Sequence, residues 1–124
     1  MNPIELKNYK VPSFLIPKTE ILIDILENKV LVESSLTIER NSKKDNEPLI
    51  LNGLNLEIES IFIDEIKVTD YNYKDNLLTI NSVPDSFILK TTVSIDPFNN
   101  KSLEGLYKSG DILCSQNEAE GFRR

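Results

Sequence analysis

Apolar residues recur at every second position through most of residues 19–95. That spacing places alternate side chains on opposite faces of an extended chain and leaves no helical stripe to bury. Within 29–40, Val30, Val32, Leu36 and Ile38 fall on one face, with Glu33, Ser35, Thr37 and Glu39 on the other. Such a strand has one buried face and one wet face. The preceding run, 21–26, is rich in β-branched residues and is joined through Glu27-Asn28-Lys29, so the two runs should pair as an antiparallel hairpin. The polar stretch 41–47 reads as a loop, and Pro48 is tolerable at the start of the short strand 49–51.

Further along, Leu56 and Ile58 share one phase while Ile61 and Ile63 share the opposite one. A bulge near Glu59-Ser60 accounts for the slip. Asp64-Glu65 and Lys74-Asp75-Asn76 carry turn chemistry between apolar runs. After Val83-Pro84-Asp85, the set Phe87, Leu89, Thr91, Val93 and Ile95 alternates with Ile88, Lys90, Thr92, Ser94 and Asp96. Short turns between such strands predict an all-β, antiparallel, two-layer sandwich-like domain.

With 124 residues and 40% hydrophobic content, one domain spanning 1–124 is expected. Periodicity stops at Asp96. Pro97-Phe98-Asn99-Asn100 interrupts the last strand, and Gly105 and Gly110 permit tight turns, so 97–124 is expected to be irregular. A long segment without regular structure in a compact domain points to function or truncation.

The chain contains no histidine. Catalytic zinc sites rely mostly on neutral imidazoles, and histidine is the usual general base near neutral pH. Neither device can be built here. Cys114 is the single cysteine, so an internal disulfide is excluded and no imidazole is present to activate its thiol. A net charge of -6 disfavours nucleic acid as a partner, because clustered cations dominate that affinity. Apolar runs fall short of the roughly 18 to 20 residues needed to cross a bilayer, and the expectation is a soluble cytoplasmic protein without a membrane partner.

The tail reads Ser102-Leu103-Glu104-Gly105-Leu106-Tyr107, then Ser109-Gly110-Asp111, then Cys114-Ser115-Gln116-Asn117-Glu118-Ala119-Glu120-Gly121-Phe122-Arg123-Arg124. It resembles the bacterial aminopeptidase N family, in the stretch where the amino-terminal domain approaches the active site. Several blocks keep the family spacing, and a weaker likeness runs back through Leu49-Ile50-Leu51-Asn52-Gly53 toward Tyr9. The resemblance implies a zinc metalloaminopeptidase that removes amino-terminal residues from peptides. Its metal ligands, an H-E-x-x-H helix and a downstream glutamate, do not occur in this sequence. The expectation is therefore an incomplete amino-terminal domain, lacking its carboxy-terminal strands and its catalytic partner domain. Alone it is expected to be inactive and to bind no zinc.

By position, the resemblance implies that Glu118 contacts the substrate's free α-ammonium, a role that charge-assisted hydrogen bonding suits. It implies that Gln116 lines the pocket for the first side chain. Asn117 stands where the enterobacterial pattern has a second cysteine, and Glu120 receives no substrate role. Without the resemblance, Glu118 and Glu120 would read as a solvated acidic loop, as Lys43-Lys44-Asp45 does. Asn100-Lys101-Ser102 fits a glycosylation sequon by chance. Tyr71 and Tyr73 share a strand face and should pack. The alternative function is a stand-alone β-sandwich interaction module, and an edge left exposed offers a route to self-association.

Overall fold

The computed structural model describes residues 5–42 and 46–117. After one 3-10 turn at Leu6–Asn8, the elements are strands: β1 (Phe14–Ile25), β2 (Val30–Arg40), β3 (Leu49–Asn52), β4 (Glu57–Ile63) and β5 (Ile66–Lys67), followed by β6 (Asn72–Lys74), β7 (Leu77–Ile80), β8 (Ser86–Ile95), β9 (Gly105–Ser109) and β10 (Ile112–Gln116). Every pairing among them is antiparallel. A five-stranded sheet runs β1-β2-β8-β4-β5, a three-stranded sheet runs β3-β7-β6, and β9 pairs with β10. No described helix is long and apolar enough to cross a membrane.

The two larger sheets share one core. Ile38 faces Phe87 across the β2–β8 pair, and Leu89 lies between Leu36 and Ile63. Leu49 and Ile80 form a direct pair in the smaller sheet, beside Leu78. Ile38, Ile61, Phe87 and Leu89 from one sheet and Leu49, Leu78 and Ile80 from the other make a single buried cluster. Tyr71 and Tyr73 pack against it, and the Tyr73 hydroxyl donates to the Gly53 carbonyl at 2.7 Å. Each fully buried side chain of this kind contributes about 1.5–3 kcal/mol.

The expected phase slip in β4 is present as an irregularity between Ile58 and Ser60. Ile58 opposes Val93, whereas Ser60 opposes Thr92, so Glu59 is the extra residue. Ile58, Ile61 and Ile63 consequently all meet the core face of β8. The hairpins close on left-handed turn residues. Asp64 and Glu65 have φ of 46° and 69°, and Asp75 and Asn76 have φ of 53° and 62°. Those values suit a two-residue connection whose twist matches the flanking strands.

The smaller sheet covers only part of the larger one. A hydrogen-bonded cross-strand pair, Ser34 Oγ to Thr91 Oγ1 at 2.6 Å, crosses the core face near the middle of β2. On β1 the side chains of Ile21, Leu22, Ile23 and Ile25 remain 52–62% exposed.

The expectation of an irregular segment over 97–124 is corrected for Gly105–Ser109 and Ile112–Gln116, which form a regular hairpin. Its half-buried residues are neighbours in sequence, Gly105 to Tyr107 and Leu113 with Cys114, and do not alternate with exposed ones, so no period-two pattern marks them. Gly110, at φ 61°, supplies the left-handed residue of its two-residue turn.

Candidate functional site

An open cleft of about 900 Å³ lies where the 54–56 connection, the end of β8, the 96–106 segment and the end of β10 converge. Its apolar wall includes Leu54, Leu56, Ile95 and Leu106, and its polar wall includes Asp96, Asn99, Gln116 and Asn117. This mixture of apolar surface and a few polar groups is the usual make-up of a recognition site.

Asn100 holds the segment's shape. Its Nδ2 donates to the carbonyls of Glu104 and Leu106, both at 2.9 Å. Its Oδ1 accepts from Ser102 N at 3.0 Å and Ser102 Oγ at 2.7 Å. A side-chain amide has two donors and an accepting oxygen, and Asn100 uses both kinds inside the loop. The sequence match to a sequon is thus a structural Asn-x-Ser turn, a role that sequence reasoning did not assign. Leu103 and Gly105 complete the turn with φ of 61° and 66°. Upstream, Asp96 caps the same loop, accepting from Asn99 N at 3.3 Å and from Asn99 Nδ2 at 2.5 Å.

The β9–β10 hairpin is moored to this loop. Lys108 N donates to the Pro97 carbonyl at 3.0 Å, and the Lys108 ammonium sits 5.9 Å from the centre of the Phe98 ring. In the hairpin Gln116 opposes Gly105 and Cys114 opposes Tyr107. Gln116 therefore lies beside the turn that Asn100 organises, exposed and on the cleft wall. Asn117 follows it, with Nδ2 donating to Ser115 Oγ at 3.2 Å. Glu118 and Glu120 lie outside the described residues, as do Lys43-Lys44-Asp45. Cys114 is half-buried and forms no disulfide.

Among the described residues no group of three or more Cys, Asp or Glu side chains could hold a metal ion, and the chain has no histidine. Among the described residues the donor set does not fit a catalytic zinc.

No protein-family profile matches the chain. Individual relatives do. It is 42% identical over 122 residues to aminopeptidase N of Caulobacter vibrioides, a match covering 97% of the chain. It belongs to the aminopeptidase N family. The Escherichia coli aminopeptidase N is 37% identical over 94% of the chain, and the Haemophilus influenzae one is 33% identical over 95%. The chain spans 13–14% of the length of these aminopeptidase N relatives.

Among solved structures, Legionella pneumophila aminopeptidase A in complex with aspartic acid matches 98% of the chain with a TM-score of 0.83 at 24% identity. The chain covers 15% of that structure. An M1 zinc metallopeptidase from Deinococcus radiodurans, bound to a Tyr-Ser-Ala substrate, matches 90% of the chain at a TM-score of 0.68 and 13% identity. The chain covers 28% of it. These likenesses show the fold, that of the amino-terminal domain of M1 aminopeptidases. Sequence identity to aminopeptidase N includes the part of the chain that builds the cleft wall.

Proposed function

We propose that this chain is the amino-terminal part of a cytoplasmic zinc metalloaminopeptidase, and that residues 97–124 form the wall it presents to a peptide's amino terminus. The observation that carries the reading is the 42% identity to an aminopeptidase N across 97% of the chain. The arrangement at the cleft supports it. Gln116 and Asn117 stand on the wall, and Glu118 is the next residue in sequence. In this reading Glu118 accepts hydrogen bonds from the substrate α-ammonium, and the Gln116 amide orients the first side chain. A carboxylate in a water-poor cleft binds a cation more strongly than it does in bulk solvent. Zinc and the general base come from the remainder of the enzyme, for which this chain supplies no ligands. The lone cysteine fits a reducing compartment.

The test is a graft. This chain replaces the matching stretch of the Caulobacter vibrioides aminopeptidase N, and hydrolysis of free-amine aminoacyl substrates is followed. Glu118→Ala should lower kcat/KM by about ten- to a hundredfold, the value of a hydrogen bond to a charged group. Unchanged kcat/KM would remove Glu118 from the site. The 124-residue chain, incubated alone with zinc and the same substrates, should show no turnover; activity that survives purification contradicts the reading.

A further inference from the structure

Gln116 stands at the last register position of the β9–β10 hairpin, opposite Gly105. The outer side of β9 is held by the 96–106 segment, since Lys108 N donates to the Pro97 carbonyl and the Leu106 carbonyl accepts from Asn100 Nδ2. Leu106 and Lys108 therefore turn these backbone groups away from β10. Hydrogen-bonded and non-hydrogen-bonded pairs alternate along an antiparallel ladder, which makes Gly105 and Gln116 a hydrogen-bonded pair. The Asn100 amide grips the carbonyls of Glu104 and Leu106, the residues on either side of Gly105. Asn100 thus sets the place of Gly105, and Gly105 sets that of Gln116.

The turn depends on that grip. Leu103 adopts φ of 61°, in the left-handed region that disfavours a residue with a Cβ. Such a conformation persists where surrounding contacts over-determine it, and here they come from Asn100 and Ser102. Ser102 Oγ donates to Asn100 Oδ1 at 2.7 Å and accepts from Glu104 N at 3.3 Å, which bridges the two sides of Leu103. Both donors of the Asn100 amide and both lone pairs of its oxygen are engaged within the loop. No hydrogen bond of this side chain is left for a substrate, so Asn100 acts on one only through what it places.

We propose that Asn100 is a positioning residue for the first side chain of the peptide: it sets the point on the cleft wall from which the Gln116 amide meets that side chain. The inference rests on the role given to Gln116 under the proposed function. A misplacement of about 1 Å caused far from the chemistry can cost about a hundredfold in rate, so a loop contact that never reaches the substrate governs selectivity.

The full-length graft into the Caulobacter vibrioides aminopeptidase N tests this, with kcat/KM measured on alanyl and leucyl p-nitroanilides. The ratio of the two values is the readout, because loss of folded enzyme lowers both equally and leaves the ratio unmoved. Gln116→Ala should shift the ratio by about fivefold or more. Asn100→Asp, which loses both donors, should shift it in the same direction by about threefold or more. In the Gln116→Ala background Asn100→Asp should shift it no further, since the two residues act as one unit. Leu89→Ala, in the shared core, should lower the yield of folded enzyme and keep the ratio. If Asn100→Asp gives no soluble graft, Ser102→Ala decides, with a smaller shift in the same direction expected. A ratio indifferent to the loop variants, or shifts that add to that of Gln116→Ala, overturn the inference while the role of Gln116 stands. A ratio that Gln116→Ala leaves unchanged removes the role of Gln116, and the inference falls with it. A ratio moved by Leu89→Ala as far as by Asn100→Asp also overturns it, since general destabilisation then accounts for both.

Discussion

The guanidinium of Arg40 lies 4.6 Å from the centre of the Phe14 ring, its direct partner across the β1–β2 pair. Phe14 in turn meets Phe87 edge to face, with ring centres 6.4 Å apart. Only 5% of the Arg40 side chain is exposed, and its fork reaches Asp85 Oδ1 at 3.0 Å, the Glu47 carbonyl at 2.9 Å and the Val83 carbonyl at 3.3 Å. One side chain thus ties the end of β2 to two loops and an aromatic pair. Arg40→Ala should cost about 2–4 kcal/mol, as two carbonyls lose their donor and the ring loses its cation. Arg40→Lys should recover less than half of that, because a point charge cannot reproduce the fork. Asp85→Asn should cost under about 1 kcal/mol, its carboxylate being 59% exposed. Urea denaturation of the three variants checks the order.

Leu89 is fully buried between Leu36 and Ile63. Leu89→Ala should destabilise the domain by about 2–5 kcal/mol, through lost burial and the cavity left behind. Ile50, on the outer side of the short sheet, is 52% exposed; Ile50→Ala should cost under about 1 kcal/mol. Equal shifts in the urea midpoint would mean that the core lies elsewhere.

Asn100 organises the 96–106 loop through four hydrogen bonds. Asn100→Asp keeps the accepting oxygen and loses both donors. Hydrogen exchange should accelerate by about tenfold or more in the β9–β10 hairpin, with β8 amides unchanged, since local opening need not disturb the core. Equal acceleration throughout would contradict the assignment of Asn100 to the loop alone.

The β4–β5 turn places Glu65 at φ 69°, a strained conformation for a residue bearing a Cβ. Glu65→Gly should stabilise the domain by about 0.5–1 kcal/mol. Its neighbour behaves oppositely. Asp64 Oδ1 accepts from Ile88 N at 2.9 Å while Asp64 N donates to the Ile88 carbonyl at 3.0 Å, so Asp64→Ala should cost about 1 kcal/mol. Thermal melts of both variants give the signs.

Alternation in residues 19–95 was enough to read the principal strands, the first hairpin, the turns at Asp64-Glu65 and Asp75-Asn76, and the position of the bulge, because each leaves a mark in local pattern. The β9–β10 hairpin was not readable. Leu106 and Tyr107, adjacent on one strand, are both half-buried, so neither face is dry and no period results. Nor could pattern reveal that Ile21, Ile23 and Ile25 stay exposed, since burial depends on which layer lies opposite. At the cleft, Gln116 was named from a sequence resemblance and stands on the wall, whereas Asn100 was missed because its work is internal to a loop.

The extra residue in β4 has a consequence for how this domain can vary. Glu59 acts as a spacer that resets which side of the strand each later position faces, and its exposed side chain takes no part in that. Position 59 is open to almost any amino acid, and even its removal would leave Leu56 and Ile58 in phase with Ile61 and Ile63, because the step from Ile58 to Ile61 would fall from three residues to two and the ladder opposite β8 would become regular. Drift in chemistry is permitted there, and so is the loss of that one residue, since the bulge is what lets an odd spacing keep one buried face.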